Sequence, residues 1–295
     1  MSQNGVDEFT DDTDEQLAAA ASKGGRSAAE CLIARHRDWI FTLSHRMLWN
    51  REAAEDASQE ILIKMLSGLS SFENRSAFRT WLHRIAVNHL LQWKRKSRAE
   101  ESISGFDCYA RCLRAMPEEE YSIVSPETAA IITEAATGCT AAMLLCLSRE
   151  QRVVYLLGEI LELGDSLCAS VLDISSEAFR QRLSRARRDL HAFLVGNCGL
   201  VNPDNPCRCA RKTAEFVRLG IVDPNRLQFA PGASEKMRRA AVEGRPILER
   251  IVSEGIGALY RENSISSSPD TVGAVKGLLA HPRLRTIFNP DTDKF

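Results

Sequence analysis

Residues 149–194 read REQRVVYLLGEILELGDSLCASVLDISSEAFRQRLSRARRDLHAFL, and this stretch decides the fold of its part of the chain. The pattern predicts a helix that ends near Gly164, a residue suited to a C-cap, and then a short helix over Asp165–Val171. After a turn, Ser175 or Ser176 can cap a long helix. A short helix, a tight turn and a longer helix rich in arginine form the helix-turn-helix pattern of DNA-binding proteins.

The long helix has an arginine-rich side and an apolar side. Arginine reads guanine through two hydrogen bonds and glutamine reads adenine, so this helix suits the major groove. The candidate DNA-binding residues are Arg180, Gln181, Ser184, Arg185 and Arg188. The predicted buried residues are Phe179, Leu183, Ala186, Leu190 and Phe193. A solvated face on an ordinary bundle helix is the alternative, but it does not account for the turn that precedes the helix.

A second cationic stretch, residues 74–98, carries seven Lys or Arg side chains and no acid. We predict a helix from about residue 76 to 98. Aromatic residues are interleaved with the cations, and single-stranded DNA requires positive charge together with flat surfaces for its bases. The apolar residues can simply form the core face of an amphipathic helix. That role does not explain the cations, nor Asn88 and Gln92, whose amides share a face and can pair with bases.

A helix over residues 51–66 precedes this stretch. Its predicted buried stripe has a spacing of four residues and consists of Ala53, Ala57, Ile61 and Met65. Three polar side chains, Asp56, Gln59 and Glu60, fall on another face. A serine-rich break, LSSFENRSAF, then predicts a loop before the cationic helix.

Charge and punctuation divide the 295 residues into five segments, although the net charge is only −1. No strand-like alternation is present, so the fold class is all-α. We expect a disordered acidic tail (1–13), a helical bundle (14–98), an acidic linker broken by Pro117 and Pro126 (99–140), the helix-turn-helix segment (141–196) and a helical C-terminal extension (197–295). Within the extension, helical stretches are predicted around 234–261 and 270–288.

The composition is that of a soluble globular protein, with 44% hydrophobic and 26% charged residues. A chain of this length predicts two or three domains. The N-terminus lacks the basic start and apolar stretch of a secretory signal, and we expect no apolar run that approaches the roughly 20 residues needed to cross a bilayer. We therefore expect a cytoplasmic protein.

The nine cysteines are an odd number, which favours free thiols or metal ligands over a disulfide framework. Cys198, Cys207 and Cys209, with His191 upstream, form a candidate site for zinc or another thiophilic metal. Two alternatives stay open: the cysteines pack a turn that joins the long helix to the extension, or Cys207 and Cys209 switch by oxidation. The linker cysteines Cys108 and Cys112 are weaker candidates. No cofactor is required by any motif.

Four blocks of this sequence resemble the extracytoplasmic-function (ECF) group of the sigma-70 family of bacterial sigma factors. They are AEDASQEILIKML (54–66), FENRSAFRTWLHRIAVN (72–88), LSREQRVVYLLGEILELG (147–164) and DISSEAFRQRLSRAR (173–187). The last block departs from the family pattern, because Phe179 replaces an aliphatic residue and Gln181 replaces the usual serine. This departure leaves the implied fold intact, and the exact upstream promoter sequence is not predicted.

The resemblance implies that 14–98 is sigma region 2 and 141–196 is sigma region 4, and that the chain binds core RNA polymerase and promoter DNA. Asp56, Gln59 and Glu60 would dock on polymerase. The implied −10 element set is Phe72, Asn74, Arg75, Ser76, Trp81, Arg84, Asn88, Gln92 and Arg95, with Phe72 to Ser76 capturing a flipped base. The helix with Arg180 to Arg188 would read the −35 element. An anti-sigma factor is a further candidate partner, and a membrane is not expected.

Two other functions compete with this one. A free-standing helix-turn-helix regulator, responsive to a metal, would never join polymerase, and the 54–66 block discriminates against it because a simple repressor has no use for that helix. An enzyme built on the cysteine cluster lacks a base or cofactor loop. The sequence contains no P-loop, GxSxG or HExxH motif, so no catalytic residue is predicted. The extension could cover a binding face until a signal arrives, or serve stability alone.

Overall fold

The structure is a computed structural model that describes residues 12–73, 75–94, 98–119, 125–199, 201–225 and 227, with the single positions 277, 279, 281 and 284. These residues contain helices and no strand, which confirms the all-α fold class for this part of the chain. The helices are α1 Asp14–Ala21, α2 Arg26–Leu48, α3 Arg51–Gly68, α4 Phe78–Gln92, α5 Arg98–Ser102, α6 Phe106–Ala115, α7 Pro126–Ala142, α8 Arg149–Tyr155, α9 Asp165–Leu172, α10 Ser176–Asn197 and α11 Cys209–Arg218.

Contacts divide the chain into two compact units. The first unit comprises residues 1–95, 169–174 and 266–295, and the second comprises 96–168 and 175–265. The acidic tail predicted for 1–13 lies outside the described residues except for its last two positions. The helical stretches predicted around 234–261 and 270–288 also lie outside them, apart from the four single positions.

The core of the first unit lies between α1, α2, α3 and α4. Leu32, Phe41, Ile61, Phe78 and Leu82 are at most 2% exposed, and each such side chain contributes roughly 1.5–3 kcal/mol by leaving water. The stripe predicted on α3 is confirmed at its last three positions, Ala57, Ile61 and Met65. At its start the buried residue is Ala54 rather than Ala53, because the helix begins with Asn50 as its N-cap and Ala53 donates to that cap.

Two acids of the predicted N-terminal region are structural. Thr13 and Gln16 form a capping box at the start of α1, so Asp14 and Glu15 lie in its first turn. Asp14 pairs with Arg35 at 3.2 Å and with His36 at 3.0 Å. Glu15 accepts a hydrogen bond from the main-chain nitrogen of Phe78 at 2.9 Å. These acids tie α1 to α2 and to α4.

The cationic helix is shorter than predicted. α4 spans Phe78–Gln92, and Trp93 takes an extended conformation with φ −63° and ψ 109°. The prediction that the helix continues to residue 98 is wrong, because Trp93 and Lys94 are not helical. Positive charge alone does not identify a helix end, whereas the change in backbone conformation at Trp93 does.

The second unit includes most of the segment that we expected to be a linker. Helices α5, α6 and α7 cover much of 99–140, and the acidic linker as a segment between two domains stays a prediction. Tyr109 is buried on α6, donates to the carbonyl of Cys139 at 2.9 Å and contacts the ring of Phe193 at 5.8 Å between centroids. Pro126, taken as a break, is the first residue of α7, where its missing N–H costs nothing.

An ion-pair network joins the start of this segment to α8. Arg152 is almost fully buried and donates to the carbonyls of Leu144 and Leu147 at 2.9 and 3.2 Å. Glu100 accepts from Arg149 at 2.7 Å and from Arg152 at 3.3 Å. Burial alone would raise the pKa of Glu100, but the hydrogen bonds and charges of the two arginines lower it overall. Glu100 is therefore the counter-ion of a buried cation.

Helix α7 explains why composition alone misleads. The stretch Glu127–Cys146 has 20 residues and a mean hydropathy of 1.6, which is long and apolar enough to cross a membrane, contrary to our expectation that no run approaches that length. Half of the stretch is buried within the protein. α7 packs against α11, and the core helix of a globular protein passes the same test. One such helix is weak evidence for a membrane span.

Candidate nucleic-acid and polymerase interfaces

Helix α3 presents a polar face opposite its buried stripe. Asp56 and Gln59 are exposed and Glu60 is half-buried, while Ala57 and Ile61 face the core. Asn50 fixes the start of the helix by accepting from Ala53 at 2.7 Å. The side chains predicted to dock on polymerase therefore share the outward side of a helix whose other side is held in the core.

An aromatic cluster anchors the loop before α4. The ring of Phe72 contacts Phe78 and Trp81, with centroids 5.4 and 5.2 Å apart, and Phe78 contacts Trp81 at 5.4 Å. Gly68 makes room for this cluster, because a Cβ there would lie 3.1 Å from Trp81 Cζ2. Phe72 and Trp81 are half-buried, so they have a structural role and keep part of their rings exposed.

The loop itself carries the next predicted residues. Arg75 is exposed and pairs with Glu73, and Ser76 is half-buried. Asn74 and Arg95 lie outside the described residues. Glu15 fixes the end of the loop by capping Phe78, a contact that the sequence analysis missed because the two residues are 63 positions apart.

Helix α4 bears a polar stripe with the spacing of one helical turn. Arg84, Asn88 and Gln92 are all exposed and follow one another at intervals of four residues. Arg84 donates to the carbonyl of Ser170 at 2.9 Å. Ser170 belongs to the same compact unit as α4. The opposite side of α4, with Leu82, Ala86, Val87 and Leu90, is buried. The amides that we predicted to pair with bases thus point away from the core.

The helix-turn-helix segment is built by local contacts. Ser175 accepts from Ala178 at 3.1 Å and caps α10, as predicted, and Asp173 takes a left-handed conformation in the turn with φ 54°. The first helix does not end at Gly164. It ends in a π-helical turn over Leu156–Ile160, and Glu162 takes the left-handed conformation with φ 49°.

Gly158 is a residue that the sequence analysis missed. It lies in the π-helical turn, where a Cβ would come within 2.8 Å of Leu183 Cδ2 and 3.2 Å of Phe179 Cζ. α10 can therefore approach the end of the first helix closely. All five residues predicted to form the buried side of α10 are buried, namely Phe179, Leu183, Ala186, Leu190 and Phe193.

The other side of α10 is exposed and cationic. Three of its arginines pair with acids: Arg180 lies 3.7 Å from Asp165, Arg188 lies 3.9 Å from Asp189, and Arg187 pairs with Glu159. The five predicted DNA-binding side chains, Arg180, Gln181, Ser184, Arg185 and Arg188, are all exposed. This combination of one apolar and one cationic side is what a helix needs to rest on a protein core and face phosphates and base edges.

The candidate metal site differs from its prediction. Cys198, Cys207 and Cys209 line one cavity in the second unit, and the fourth cysteine there is Cys139 of α7. His191 is exposed on α10 and does not line this cavity, so the structure does not bring it to the three thiols. The pairing with Cys139 carried no local signal, because 59 positions separate Cys139 from Cys198.

Comparisons with known proteins agree on one family. Residues 32–100 match the family model described as Sigma-70 region 2. The chain is 29% identical over 172 residues to the ECF RNA polymerase sigma factor SigW of Bacillus subtilis, which covers 58% of this chain and 91% of that protein. It is 28% identical over 182 residues to the ECF RNA polymerase sigma factor SigM of Mycobacterium tuberculosis, covering 62% and 85%.

A third curated protein, the ECF RNA polymerase sigma-E factor of Haemophilus influenzae, is 27% identical over 183 residues, covering 59% of this chain and 92% of that protein. Among solved structures, CnrH in complex with the cytosolic domain of CnrY covers 62% of this chain and 97% of its own, at 23% identity and a TM-score of 0.43. The domain boundaries, including the extension over 197–295, stay predictions.

Proposed function

We propose that the chain is a sigma factor of the ECF group of the sigma-70 family and initiates transcription by joining core RNA polymerase and reading both elements of a promoter. The observation that carries the proposal is a pair of outward faces on well-packed helices. One is the polar stripe of α4, and the other is the cationic side of α10. Both are held by apolar residues buried beneath them.

The α4 face suits the melted −10 element. Opening a duplex costs a few kcal/mol for each base that leaves the stack, and a protein offsets this by binding only the single-stranded form. The half-exposed rings of Phe72 and Trp81 offer stacking surface, and the amides of Asn88 and Gln92 can pair with base edges. The loop from Phe72 to Ser76 would hold the flipped base, and Arg75 and Arg84 would attract the backbone.

The α10 face suits the paired −35 element. Arg185, Gln181 and Ser184 lie on the exposed side of a helix that follows a tight turn, which is the geometry for insertion into the major groove. Arg180 and Arg188 would contact phosphates or bases beside them. Duplex binding here positions the complex, whereas opening takes place at the α4 face.

The α3 face would join this chain to polymerase. Asp56, Gln59 and Glu60 give it an acidic and amide character on an otherwise core-facing helix. A free-standing regulator has no need for such a surface. The proposed function needs no cofactor and no catalytic residue of its own, and its place of action is the cytoplasm, where polymerase and the chromosome meet. An anti-sigma partner stays a prediction.

Run-off transcription with purified core polymerase tests the proposal. The full chain should form a complex with the core enzyme and start transcripts at a defined site. The double variant Asp56→Ala/Gln59→Ala should lose the complex, whereas Glu52→Ala, an exposed residue in the first turn of the same helix, should keep it. If the wild-type chain binds duplex DNA but neither joins the core enzyme nor supports transcription, the free-standing regulator is the correct function.

A further inference from the structure

Four cysteines from three distant parts of the sequence meet in the second unit. Cys139 lies on α7, Cys198 is the C-cap of α10, and Cys207 and Cys209 stand at the start of α11. All four line a single cavity. Each of the six pairs among them interacts electrostatically, so the thiols form one mutual group rather than two separate pairs.

The rest of the cavity lining is apolar or already hydrogen-bonded, so the sulfur atoms are the groups that can bind a ligand. Leu113, Met143 and Phe193 contribute apolar surface. The two other polar side chains of the lining are already satisfied by the backbone, since Thr140 donates to the carbonyl of Ala136 at 2.7 Å and Asn197 donates to that of Phe193 at 3.0 Å. A soft cation prefers such a set of thiolates to any oxygen-rich site.

The loop that brings the cysteines together is constructed in detail. Asn205 donates to the carbonyls of Val195 and Cys198 at 2.9 and 3.1 Å, which folds the loop back onto the end of α10. Gly199 touches the carbonyl of Cys207 so closely that no side chain fits there. These contacts hold Cys198 beside Cys207 without any covalent link, and the cysteines are all free thiols.

Two cations lie close enough to the cysteines to act on them. The charges of Lys212 and Arg208 act on Cys207 and would offset part of the negative charge of four sulfurs. Because a metal binds thiolates and not thiols, binding of a divalent cation here would release the thiol protons.

We propose that Cys139, Cys198, Cys207 and Cys209 together bind one thiophilic divalent cation of the zinc class, which fastens the start of the C-terminal extension to α7 and α10. As described, no group of three or more His, Cys, Asp or Glu side chains has the geometry of a metal site. Binding must therefore draw the sulfurs inward to Zn–S distances of about 2.3 Å.

A disulfide is the competing use of these thiols. Cys207 and Cys209 are separated by one residue, and a bond between them would be strained. A bond across the cavity would need an external two-electron oxidant and would remove two of four ligands. The mutual proximity of all four sulfurs favours coordination over pairing.

Zinc titration of the reduced full chain, followed by competition with a chromophoric chelator and by X-ray absorption at the zinc edge, tests the proposal. We expect one zinc per chain with four sulfur ligands. Cys139→Ser should weaken binding more than about tenfold, since even residues beyond the ligands contribute that much in metal sites. Affinity should fall as pH falls, because protons compete for the thiolates.

Cys112→Ser, an exposed cysteine outside the cavity, and His191→Ala are the matched controls and should bind zinc like the wild type. Cys207→Ser provides a second ligand variant, and circular dichroism of each variant separates loss of zinc from loss of fold. The proposal is overturned if the reduced chain binds no zinc, if His191→Ala and not Cys139→Ser removes it, or if the purified chain contains a disulfide among these cysteines and no metal. None of these readouts depends on transcription.

Discussion

Helices α4 and α10 have the same division into an apolar and a polar side, yet they are stabilised in different ways. Ser175 caps α10 by accepting a hydrogen bond from the N–H of Ala178, three residues later. α4 has no cap from its own flanks, and Glu15 of α1 provides it instead. The start of a helix with a local cap can be predicted from the sequence, whereas a helix capped by a distant residue depends on the rest of its unit.

Their polar sides differ as well. α10 carries arginines, two of which are paired with the nearby acids Asp165 and Glu159. The stripe on α4 combines one arginine, Arg84, with two amides. An arginine-rich face suits the phosphates and guanine edges of a duplex, and amides beside aromatic rings suit unpaired bases. Under the proposed function, the second unit would bind paired DNA and the first unit melted DNA.

The largest expected effect concerns Arg152, a buried residue of the second unit, which also contains α10. Arg152→Ala should lower the free energy of unfolding by about 3–5 kcal/mol, because it removes three or more hydrogen bonds and leaves Glu100 without half of its counter-charge. Urea denaturation measures this loss. Arg182→Ala, on the exposed side of α10, is the control and should change stability by less than about 0.5 kcal/mol. Equal losses would show that the network does not stabilise the unit.

The first unit should be the more sensitive to acid. Burial, with the charges of Arg51 and Arg46, lowers the pKa of His45 from 6.5 to about 4. Between pH 6.5 and pH 4 the unfolded chain therefore binds a proton at His45 that the folded chain does not bind. The free energy of unfolding falls as pH falls through this range. At pH 5 the loss from His45 alone is about 2 kcal/mol. Urea melts at pH 7 and pH 5 measure it.

His45→Gln tests the assignment, because it should flatten this pH dependence. Part of the pH dependence should remain in this variant, because burial also lowers the pKa of His36, His83 and His89. A variant with the same slope as the wild type would show that His45 is not the source.

Arg185 tests whether α10 reads bases. Arg185→Ala should weaken binding to the preferred upstream duplex by about 1–3 kcal/mol and relax preference at one base pair. Binding to a panel of duplexes, each with one substitution, measures this in a titration at fixed salt. Arg187→Ala removes an arginine that pairs with Glu159, and it provides the contrast to Arg185→Ala. A loss from Arg185→Ala that is the same for every duplex would identify a phosphate contact instead.

The two caps offer a direct test of local against distant stabilisation. Ser175→Ala and Glu15→Ala should each cost about 1 kcal/mol, the usual value of a helix cap. The effect of Ser175→Ala should stay within α10, whereas Glu15→Ala should loosen both α1 and α4, because its carboxylate joins them. Amide hydrogen exchange, read helix by helix, distinguishes these outcomes. Exchange confined to α1 in Glu15→Ala would contradict the proposed coupling.

The smallest expected effect concerns Asn88. Asn88→Ala should weaken binding to a single-stranded −10 oligonucleotide by about 1 kcal/mol, the net value of one hydrogen bond, and leave binding to the upstream duplex unchanged. Fluorescence anisotropy with the two probes measures both. If the variant weakens both probes equally, Asn88 acts on the fold or the overall charge rather than on a base.

Sequence reasoning succeeded where the information is local. The buried and exposed sides of α10 follow from a 3.6-residue period, and its start follows from Ser175. Reasoning failed at residues whose partners are distant in sequence. No local pattern marks Glu15 or Glu100 as structural, and only their contacts with Phe78, Arg149 and Arg152 show that role.

By itself the sequence determined that this chain is helical, that two of its helices carry polar faces suited to DNA, and that it resembles one family of initiation factors. Periodicity and caps are properties of neighbouring residues, so they can be read in order along the chain. The tertiary structure decided which acids become counter-ions and which cysteines meet. Cys139 joins Cys198, Cys207 and Cys209 only because α7 packs against α11, and no spacing in the sequence encodes that packing.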